Sequence, residues 1–277
     1  MKMMKNVLAV ILALVMTLSL VACSQSGNKD GGDAAPTSLV EAIKASGKLV
    51  VGTSADYPPY EFHTEIDGKD TIVGFDIAIA QYIADDLGVE LEIVDMAFDN
   101  LLMGLANDEF DMVIAGLTAD EERLKTTDFS NAYLESKNLI LIRTEDEGKY
   151  TNLDDLKGAK AGAQTGTIPF DRCVEYCGEE TTTGLKKVQD LVMELKAGKL
   201  DVVMLDYMTV LTYADVNADL SAVDVGIPTT TDGYSIAIKK GDTELVDYVN
   251  GVLAELAEAN LVEQYIVEAQ KLAGLEE

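Results

Sequence analysis

Apolar residues along this chain follow two alternating patterns. Short apolar runs typical of buried strands occur at residues 49–52, 89–94, 111–115, 139–142, 160–163 and 201–205. Between these runs, apolar residues recur at helical spacing in segments 39–47, 74–88, 101–105, 153–156 and 185–195, and a last helical segment covers 245–272. Strands that alternate with helices predict parallel βαβ units and therefore an α/β fold.

One strand unit occurs twice in the chain. Residues 107–118 read NDEFDMVIAGLT and residues 197–208 read AGKLDVVMLDYM; in each, a polar turn leads through an aspartate into an apolar strand. This similarity predicts two related lobes rather than a tandem repeat of fixed period. We expect the first lobe at 38–138, the second at 139–230, and a return to the first at 231–277 with a C-terminal helix. Two crossing strands would then form a hinge, with a ligand cleft between the lobes.

The start of the chain has a different pattern. Lys2 and Lys5 precede an apolar run at 7–18, and an LVAC tetrapeptide ends at Cys23. This order predicts a secretory signal peptide at 1–22, because the apolar run is too short to cross a bilayer. It resembles the bacterial lipoprotein signal, which implies that Cys23 becomes the lipidated first residue of the mature protein. The alternative is ordinary cleavage after Ala22, which would leave Cys23 as an N-terminal residue with an unmodified thiol.

Residues 23–37 are rich in Gly, Ser, Asp and Ala, and this composition predicts a flexible tether. With the lipid anchor, the tether would hold the protein on the extracytoplasmic face of a cell membrane. Ser24 is not the residue that, among lipoproteins, retains a protein on the inner membrane of two-membrane bacteria. We therefore expect a single-membrane bacterium.

Charge and composition narrow the class of function. The net charge of −28 argues against nucleic-acid binding, because a duplex binder needs a basic face. Of the three cysteines, Cys173 and Cys177 lie four residues apart. They could pair in an oxidising compartment, although a helix holds such side chains poorly for a disulfide, so both states stay open. Two sulfurs without a nearby histidine make an incomplete metal set, and we expect no metal and no cofactor.

Five stretches carry a family resemblance: GTSADYPPYEF at 52–62, GFDI at 74–77, AGLT at 115–118 with Arg123, DVVMLD at 201–206, and GYSIAI at 233–238 with Asn250. Over residues 38–272 the chain is similar to the extracellular solute-binding proteins of family 3, the polar amino-acid-binding lipoproteins of ABC importers. The resemblance implies a two-lobed, type II periplasmic-binding-protein fold that closes on a free amino acid and presents it to a membrane permease. We expect a monomer, because one cleft closing on one ligand needs no symmetry mate.

Arg123 is the predicted partner of the ligand carboxylate, because a guanidinium donates two parallel hydrogen bonds to that group. It follows an apolar strand at the carboxyl end, where open α/β sheets bind ligands. The Thr118 hydroxyl and backbone N–H groups of the turn that contains Gly116 would share the carboxylate. The alternative is a surface arginine paired with Asp120 or Glu122.

Asp206 ends the corresponding strand of the second predicted lobe. The resemblance implies that it accepts a hydrogen bond from the ligand ammonium, whereas a helix N-cap is the structural alternative for an aspartate before a helix. Thr167 follows Thr165 and Gly166 after the strand at 160–163. The backbone there can approach a carboxylate closely because Gly166 has no side chain.

The resemblance also implies that Tyr57 and Phe98 form facing aromatic walls, which suit flat, apolar or cationic groups. Core packing is the alternative for Phe98. Ser54 is a predicted ligand contact at a position where several relatives that select basic side chains carry an acidic residue. This difference disfavours a lysine or arginine ligand without identifying another.

An enzyme on the same scaffold, of the cyclohexadienyl dehydratase or lytic transglycosylase kind, is the competing function. Catalysis would need a general acid or base in the cleft. The sole histidine, His63, falls in a polar segment at 61–70 that predicts an exposed turn, and the chain has no Gly-x-Ser-x-Gly motif. We therefore expect a binding protein rather than an enzyme.

Overall fold

The computed structural model describes residues 38–229 and 231–274. The predicted signal peptide, the tether and Cys23 lie outside the described residues. The α-helices are Leu39–Ser46 (α1), Phe75–Leu87 (α2), Leu101–Ala106 (α3), Ile168–Cys177 (α4), Val188–Lys196 (α5), Tyr207–Val216 (α6), Thr243–Glu258 (α7) and Leu261–Leu272 (α8). Short 3-10 turns occupy Phe98–Asn100, Arg123–Lys125, Thr144–Asp146, Leu153–Leu156 and Glu179–Thr181. No helix among the described residues is long and apolar enough to span a membrane.

Two five-stranded sheets of the same topology organise the chain. The strands are Lys48–Thr53 (β1), Asp56–Tyr57 (β2), Glu61–Ile66 (β3), Lys69–Val73 (β4), Glu90–Asp95 (β5), Met112–Val113 (β6), Thr127–Phe129 (β7), Asn138–Arg143 (β8), Ala161–Gln164 (β9), Thr182–Leu185 (β10), Val202–Asp206 (β11), Leu220–Val223 (β12) and Ala237–Lys239 (β13). The first sheet has the order β5-β1-β6-β13-β7 and the second β10-β9-β11-β8-β12. In each sheet the first three strands are parallel and the fourth is antiparallel to both of its neighbours.

The protein is two-lobed, and the chain passes between the two sheets twice. Strands β1 to β7 lie before the second sheet in sequence, and β13 returns to the first sheet after it. The two crossing segments are hydrogen-bonded to each other, since Tyr133 N–H donates to Tyr234 O and Tyr234 N–H donates to Leu134 O, both at 2.8 Å. We call the part built on the first sheet the first lobe and the part built on the second sheet the second lobe. The division at residues 138/139 and 230/231 stays a prediction.

The repeated aspartate has the same structural role in both lobes. Asp111 Oδ2 accepts a hydrogen bond from Val50 N–H at 2.8 Å, and Asp201 Oδ2 accepts one from Lys160 N–H at 3.0 Å. In each lobe this carboxylate thus links the residue before the third strand of the sheet to the backbone at the parallel neighbour. The linked strands are β6 and β1 in the first lobe, and β11 and the start of β9 in the second. The carboxyl ends of β6 and β11 are thereby set at equivalent positions in their lobes.

Helix α2 shows how the apolar pattern becomes packing. Its apolar residues fall three to four positions apart, and Phe75, Ile79 and Ile83 are fully buried against the core. The helix ends at Gly88, whose φ of 74° is a left-handed conformation that costs a glycine little. The predicted helix at 74–88 is therefore confirmed.

Three predicted segments differ from the structure. The polar segment at 61–70 is a β3–β4 hairpin with its turn at Asp67 and Gly68, so His63 lies in a strand. The segment at 185–195 begins with the last residue of β10, and helix α5 starts only at Val188. The segment at 245–272 is two helices, because Asn260 adopts a φ of 53° between α7 and α8. In the last two cases a local backbone turn interrupts an apolar pattern that is otherwise continuous.

Candidate functional site

A cavity is lined by residues of both lobes. Seven of the eight predicted ligand-binding residues line it: Tyr57, Phe98, Gly116, Thr118 and Arg123 from the first lobe, and Thr167 and Asp206 from the second. The carboxyl ends of β6 and β11 both reach this cavity, as expected for a site in an α/β fold. The eighth predicted residue, Ser54, does not line it.

The Arg123 guanidinium is fixed by the backbone of both lobes. Its Nη1 donates to Thr118 O at 2.7 Å, and its Nη2 donates to Gly166 O in the second lobe at 3.1 Å. Nε lies 3.3 Å from Asp120 Oδ2, so the alternative pairing with Asp120 is present as well. The side chain is nevertheless only 12% exposed and lines the cavity. Arg123 is therefore a largely buried cation at the cavity wall rather than a surface arginine.

The turn after β6 brings backbone to the cavity wall. Gly116 has a φ of 52°, and a Cβ atom there would lie 3.3 Å from the Tyr60 ring. Its N–H donates to Asp76 Oδ2 at 2.7 Å, and the Tyr133 hydroxyl donates to the same carboxylate. A side chain at Gly116 would strain the backbone and press on Tyr60, so this turn suits glycine.

Asp206 faces the cavity from the end of β11. Asn138 Nδ2 donates to its Oδ1 at 2.9 Å, and the Tyr234 hydroxyl donates to the same oxygen. Burial raises the pKa of Asp206 to about 7. It precedes α6 without a side-chain capping bond, so the N-cap alternative describes only its position.

Aromatic side chains form one wall of the cavity and the layer below it. Tyr57 lines the cavity, and its hydroxyl accepts a hydrogen bond from Asp206 N–H at 2.8 Å. Tyr60 lies beneath, fully buried, with ring centroids 5.6 Å from Tyr57 and 4.5 Å from Phe75. Phe98 is partly buried against the first-lobe core, and Arg123 Cζ lies 5.7 Å from its ring centroid. Phe98 thus both packs in the core and faces the cavity.

Helix α4 begins at the cavity. Thr167 is its N-cap: the hydroxyl accepts from Phe170 N–H at 3.3 Å and donates to Gln164 O at 2.7 Å. Thr167, Ile168 and Pro169 line the cavity. The first turn of a helix carries free N–H groups and partial positive charge, which favour an anion. The start of α4 and Arg123 therefore present positive potential to the same space.

Sequence reasoning missed Glu61 as a site residue. Glu61 lines the cavity and is only 1% exposed; no N–H or hydroxyl donor among the described residues reaches its carboxylate oxygens, and the neighbouring Asp76 carboxyl can bond to it only through a shared proton. Burial, and then the charge of Asp76, raise the pKa of Glu61 well above its usual range. An acidic residue between aromatic Tyr60 and Phe62 in a strand is the one sequence signal for this burial. A buried carboxyl of this kind is stabilised by a proton or by a cationic ligand group.

Ser54, the cysteines and His63 lie elsewhere. Ser54 Oγ donates to Asp56 Oδ1 at 3.4 Å within a tight turn, so its predicted ligand contact has no place in this cavity. Cys173 and Cys177 are free thiols on one face of α4, and the possible disulfide between them stays a prediction. His63 is exposed, between Asp70 at 2.9 Å and Asp95 at 3.3 Å, outside the cavity.

Comparison with known proteins identifies the class of this two-lobed fold. The model of the bacterial extracellular solute-binding proteins, family 3, matches residues 49–267. The arginine-binding extracellular protein ArtP of Bacillus subtilis is 33% identical over 266 residues, which are 94% of this chain and 96% of ArtP. The L-cystine-binding protein TcyJ of Escherichia coli is 30% identical over 218 residues, 79% of this chain and 80% of TcyJ.

A solved structure gives the same result. An amino acid ABC transporter substrate-binding protein from Streptococcus pneumoniae, bound to L-arginine, superposes with a TM-score of 0.82 at 40% identity. The superposition covers 84% of this chain and 98% of that protein. The chain belongs to family 3 of the bacterial extracellular solute-binding proteins. Its relatives bind amino acids for ABC transporters and are not enzymes, so the enzyme alternative is set aside.

Proposed function

We propose that this protein captures a free amino acid with a cationic side chain, L-arginine above others, for an ABC importer. The observation that carries the proposal is the Glu61 carboxyl, buried in the cavity beside Asp76 with no N–H or hydroxyl donor to its oxygens among the described residues. A buried carboxylate without a partner is costly, and a guanidinium offers it two parallel hydrogen bonds with opposite charge. The arginine ligands of two similar proteins support the same choice.

The remaining cavity groups suit the backbone of an amino acid. Arg123 and the start of α4 would hold the carboxylate, and Asp206 would accept from the ammonium. The two charges come from opposite lobes, so a zwitterion would join the lobes as they close. Binding energy is then spent on closure as well as on direct contact.

The aromatic wall also suits a guanidinium. Tyr57 and Phe98 line the cavity, and a planar cation can stack on the faces of aromatic rings. Position 54 carries a serine, whereas several relatives that select basic side chains carry an acidic residue there. This difference is a weak argument against a basic ligand, because Ser54 lies outside the cavity. Glu61 would supply the negative charge instead.

A thermal-shift screen against the free proteinogenic amino acids tests this function, since a tight ligand stabilises the folded state by mass action. L-arginine should give the largest shift. Glu61→Gln should weaken arginine binding by about 30-fold or more, the effect of losing one partner of a buried charge pair. Glu65→Gln, on an exposed position of the same strand, is the matched control. Unchanged arginine affinity in Glu61→Gln would remove the carboxylate from the proposed site.

We further propose that Cys23 carries the lipid and that residues 23–37 tether the receptor near its permease. Tethering raises the effective concentration of a receptor at its transporter. Cys23→Ala should release the protein from the membrane fraction into the medium, with arginine affinity unchanged. Retention of that variant on the membrane would exclude this anchor. Sedimentation of the released protein should give a monomer.

A further inference from the structure

The first turn of helix α5 in the second lobe is capped by the first lobe. Lys187, at the N-cap position, makes no side-chain capping bond. Val188 N–H, at the start of the helix, donates instead to Asp56 Oδ2 at 2.9 Å. Asp56 lies on β2, far away in sequence, so the helix borrows its acceptor from the opposite lobe. A carboxylate at a helix N-terminus also interacts favourably with the helix dipole.

The other oxygen of Asp56 binds the second lobe too. Gln164 Nε2, at the end of β9, donates to Asp56 Oδ1 at 3.2 Å and to Lys186 O at 3.0 Å. From the described residues of its own lobe, the Asp56 carboxylate accepts only one longer hydrogen bond, from Ser54 Oγ to Oδ1 at 3.4 Å. Each oxygen of a first-lobe carboxylate is therefore held by a second-lobe donor.

The contact of Asp56 with the second lobe is buried, whereas an ion pair that also joins the two lobes is exposed. Asp56 is 9% exposed. By contrast, the pair of Lys186 and Asp99, at 3.4 Å, has a lysine side chain that is 63% exposed. Exposed pairs contribute little because water and salt screen them, whereas a charged group bonded in the interior contributes more. Asp56 itself is absent from the cavity wall, whereas its partner Gln164 lines the cavity, so an effect of Asp56 on a ligand acts through the arrangement of the lobes or through Gln164.

We propose that Asp56 is an interlobe latch, which stabilises the closed arrangement by capping α5 and binding Gln164, and so sets ligand affinity without touching the ligand. The affinity part of this proposal rests on the proposed function. Two chain crossings leave the lobes free to move as units, and opening would return Asp56 and Val188 N–H to water. The latch then acts on the open–closed equilibrium, and through it on the dissociation rate of the ligand.

Binding measurements on Asp56→Ala test the latch. L-arginine affinity should fall about tenfold, which is the effect expected from the loss of a charge-assisted hydrogen bond to the start of a helix. The fall should come from faster dissociation of the ligand. Asp111→Ala is the matched control, because Asp111 accepts Val50 N–H within one lobe. That variant should lose thermal stability and keep the arginine dissociation rate. Asp56→Asn, which keeps one acceptor oxygen, should lie between wild type and Asp56→Ala.

An interlobe distance gives a readout that a merely structural role would not change. Met103 in the first lobe and Met193 in the second are 61% and 59% exposed, so Met103→Cys and Met193→Cys can carry spin labels once the native cysteines are serine. With saturating arginine, Asp56→Ala should add a longer distance that wild type and Asp111→Ala lack. An unchanged distance distribution together with wild-type affinity would overturn the latch. If wild type binds no free amino acid, the proposed function fails; a longer distance in ligand-free Asp56→Ala would then still support the latch, and an unchanged distance would overturn it.

Discussion

Strands β6 and β11 are positioned by equivalent hydrogen bonds, but the residues at and after their carboxyl ends differ. Each follows an aspartate that accepts a backbone N–H beside the neighbouring strand, Asp111 from Val50 and Asp201 from Lys160. Beyond β6 the chain makes a left-handed turn at Gly116 and supplies the cation Arg123. β11 itself ends in the anion Asp206, which leads directly into α6.

This difference distinguishes the role of the fold, which positions the strand ends, from the role of the residues at those ends, which would select the ligand. Two equivalent strand ends bring two positions to one cavity, and the few residues at and after each end decide the charge presented there. Opposite charges on opposite lobes match the two ends of a zwitterion. A lobe that ended in the same charge as its partner would repel its own closure.

The largest expected effect comes from removing the first-lobe charge. Arg123→Ala should reduce amino acid binding by more than about 1,000-fold, below detection by calorimetry, since the carboxylate would be buried without its charged partner. Arg123→Lys, which keeps charge and loses the fork, should retain weak binding. Wild-type affinity in Arg123→Ala would show that the first-lobe cation has been assigned wrongly.

Removing the second-lobe charge should have a smaller effect. Asp206→Asn keeps the shape and an acceptor for Tyr234, and should weaken binding about 100-fold through loss of the ammonium pair. Asp201→Asn, at the other end of the same strand and outside the cavity, is the control and should mainly reduce stability. Equal affinities for wild type and Asp206→Asn would mean that the ammonium is bound elsewhere.

Acid should weaken ligand binding, because the pKa values of two cavity carboxyls, Asp206 and Glu61, are raised. Burial raises the pKa of Asp206 to about 7, so the ligand-free group is increasingly protonated below that pH. A cationic ammonium needs the ionised form, and binding must then release the proton. Arginine affinity should be highest above pH 7 and fall by up to about tenfold per pH unit below it. Calorimetry in buffers of different ionisation enthalpy would detect the released proton, and a flat profile from pH 5 to 8 would contradict this assignment.

The smallest effect is expected at the aromatic wall. Phe98→Leu keeps an apolar side chain in the first-lobe core and removes the ring that faces Arg123 at 5.7 Å. Affinity for arginine should fall about fivefold, the equivalent of about 1 kcal/mol of cation–π attraction. An effect as large as that of Arg123→Ala would make Phe98 part of the folding core rather than of the ligand wall.

Much of this fold could be predicted from periodicity. Alternating apolar runs indicate strands such as β1 and β9, and the spacing of Ile79 and Ile83 indicates α2. The break at Asn260 could not be predicted in the same way, because apolar spacing continues across it. Strand-end positions pointed to Arg123 and Asp206, since open α/β sheets bind ligands at the carboxyl ends of their strands.

The residues that were missed are those whose burial depends on tertiary packing. Glu61 is one of 49 acidic residues, and only the folded structure shows that its carboxyl lines the cavity without an N–H or hydroxyl donor among the described residues. Asp56 is likewise ordinary in sequence, because its partners Gln164 and Val188 lie more than 100 residues away. Ser54 was misplaced because a tight local turn directs it toward Asp56.

Calorimetry of the wild-type protein with L-arginine and L-citrulline tests the central claim most directly. Citrulline keeps the carboxylate, the ammonium and the length of arginine, and replaces the guanidinium by a neutral urea group. If opposite charges on the two lobes hold the zwitterion and Glu61 holds the side chain, both ligands should bind, with arginine tighter by about 30-fold or more. Equal affinity for the two, or binding of neither, would contradict the account.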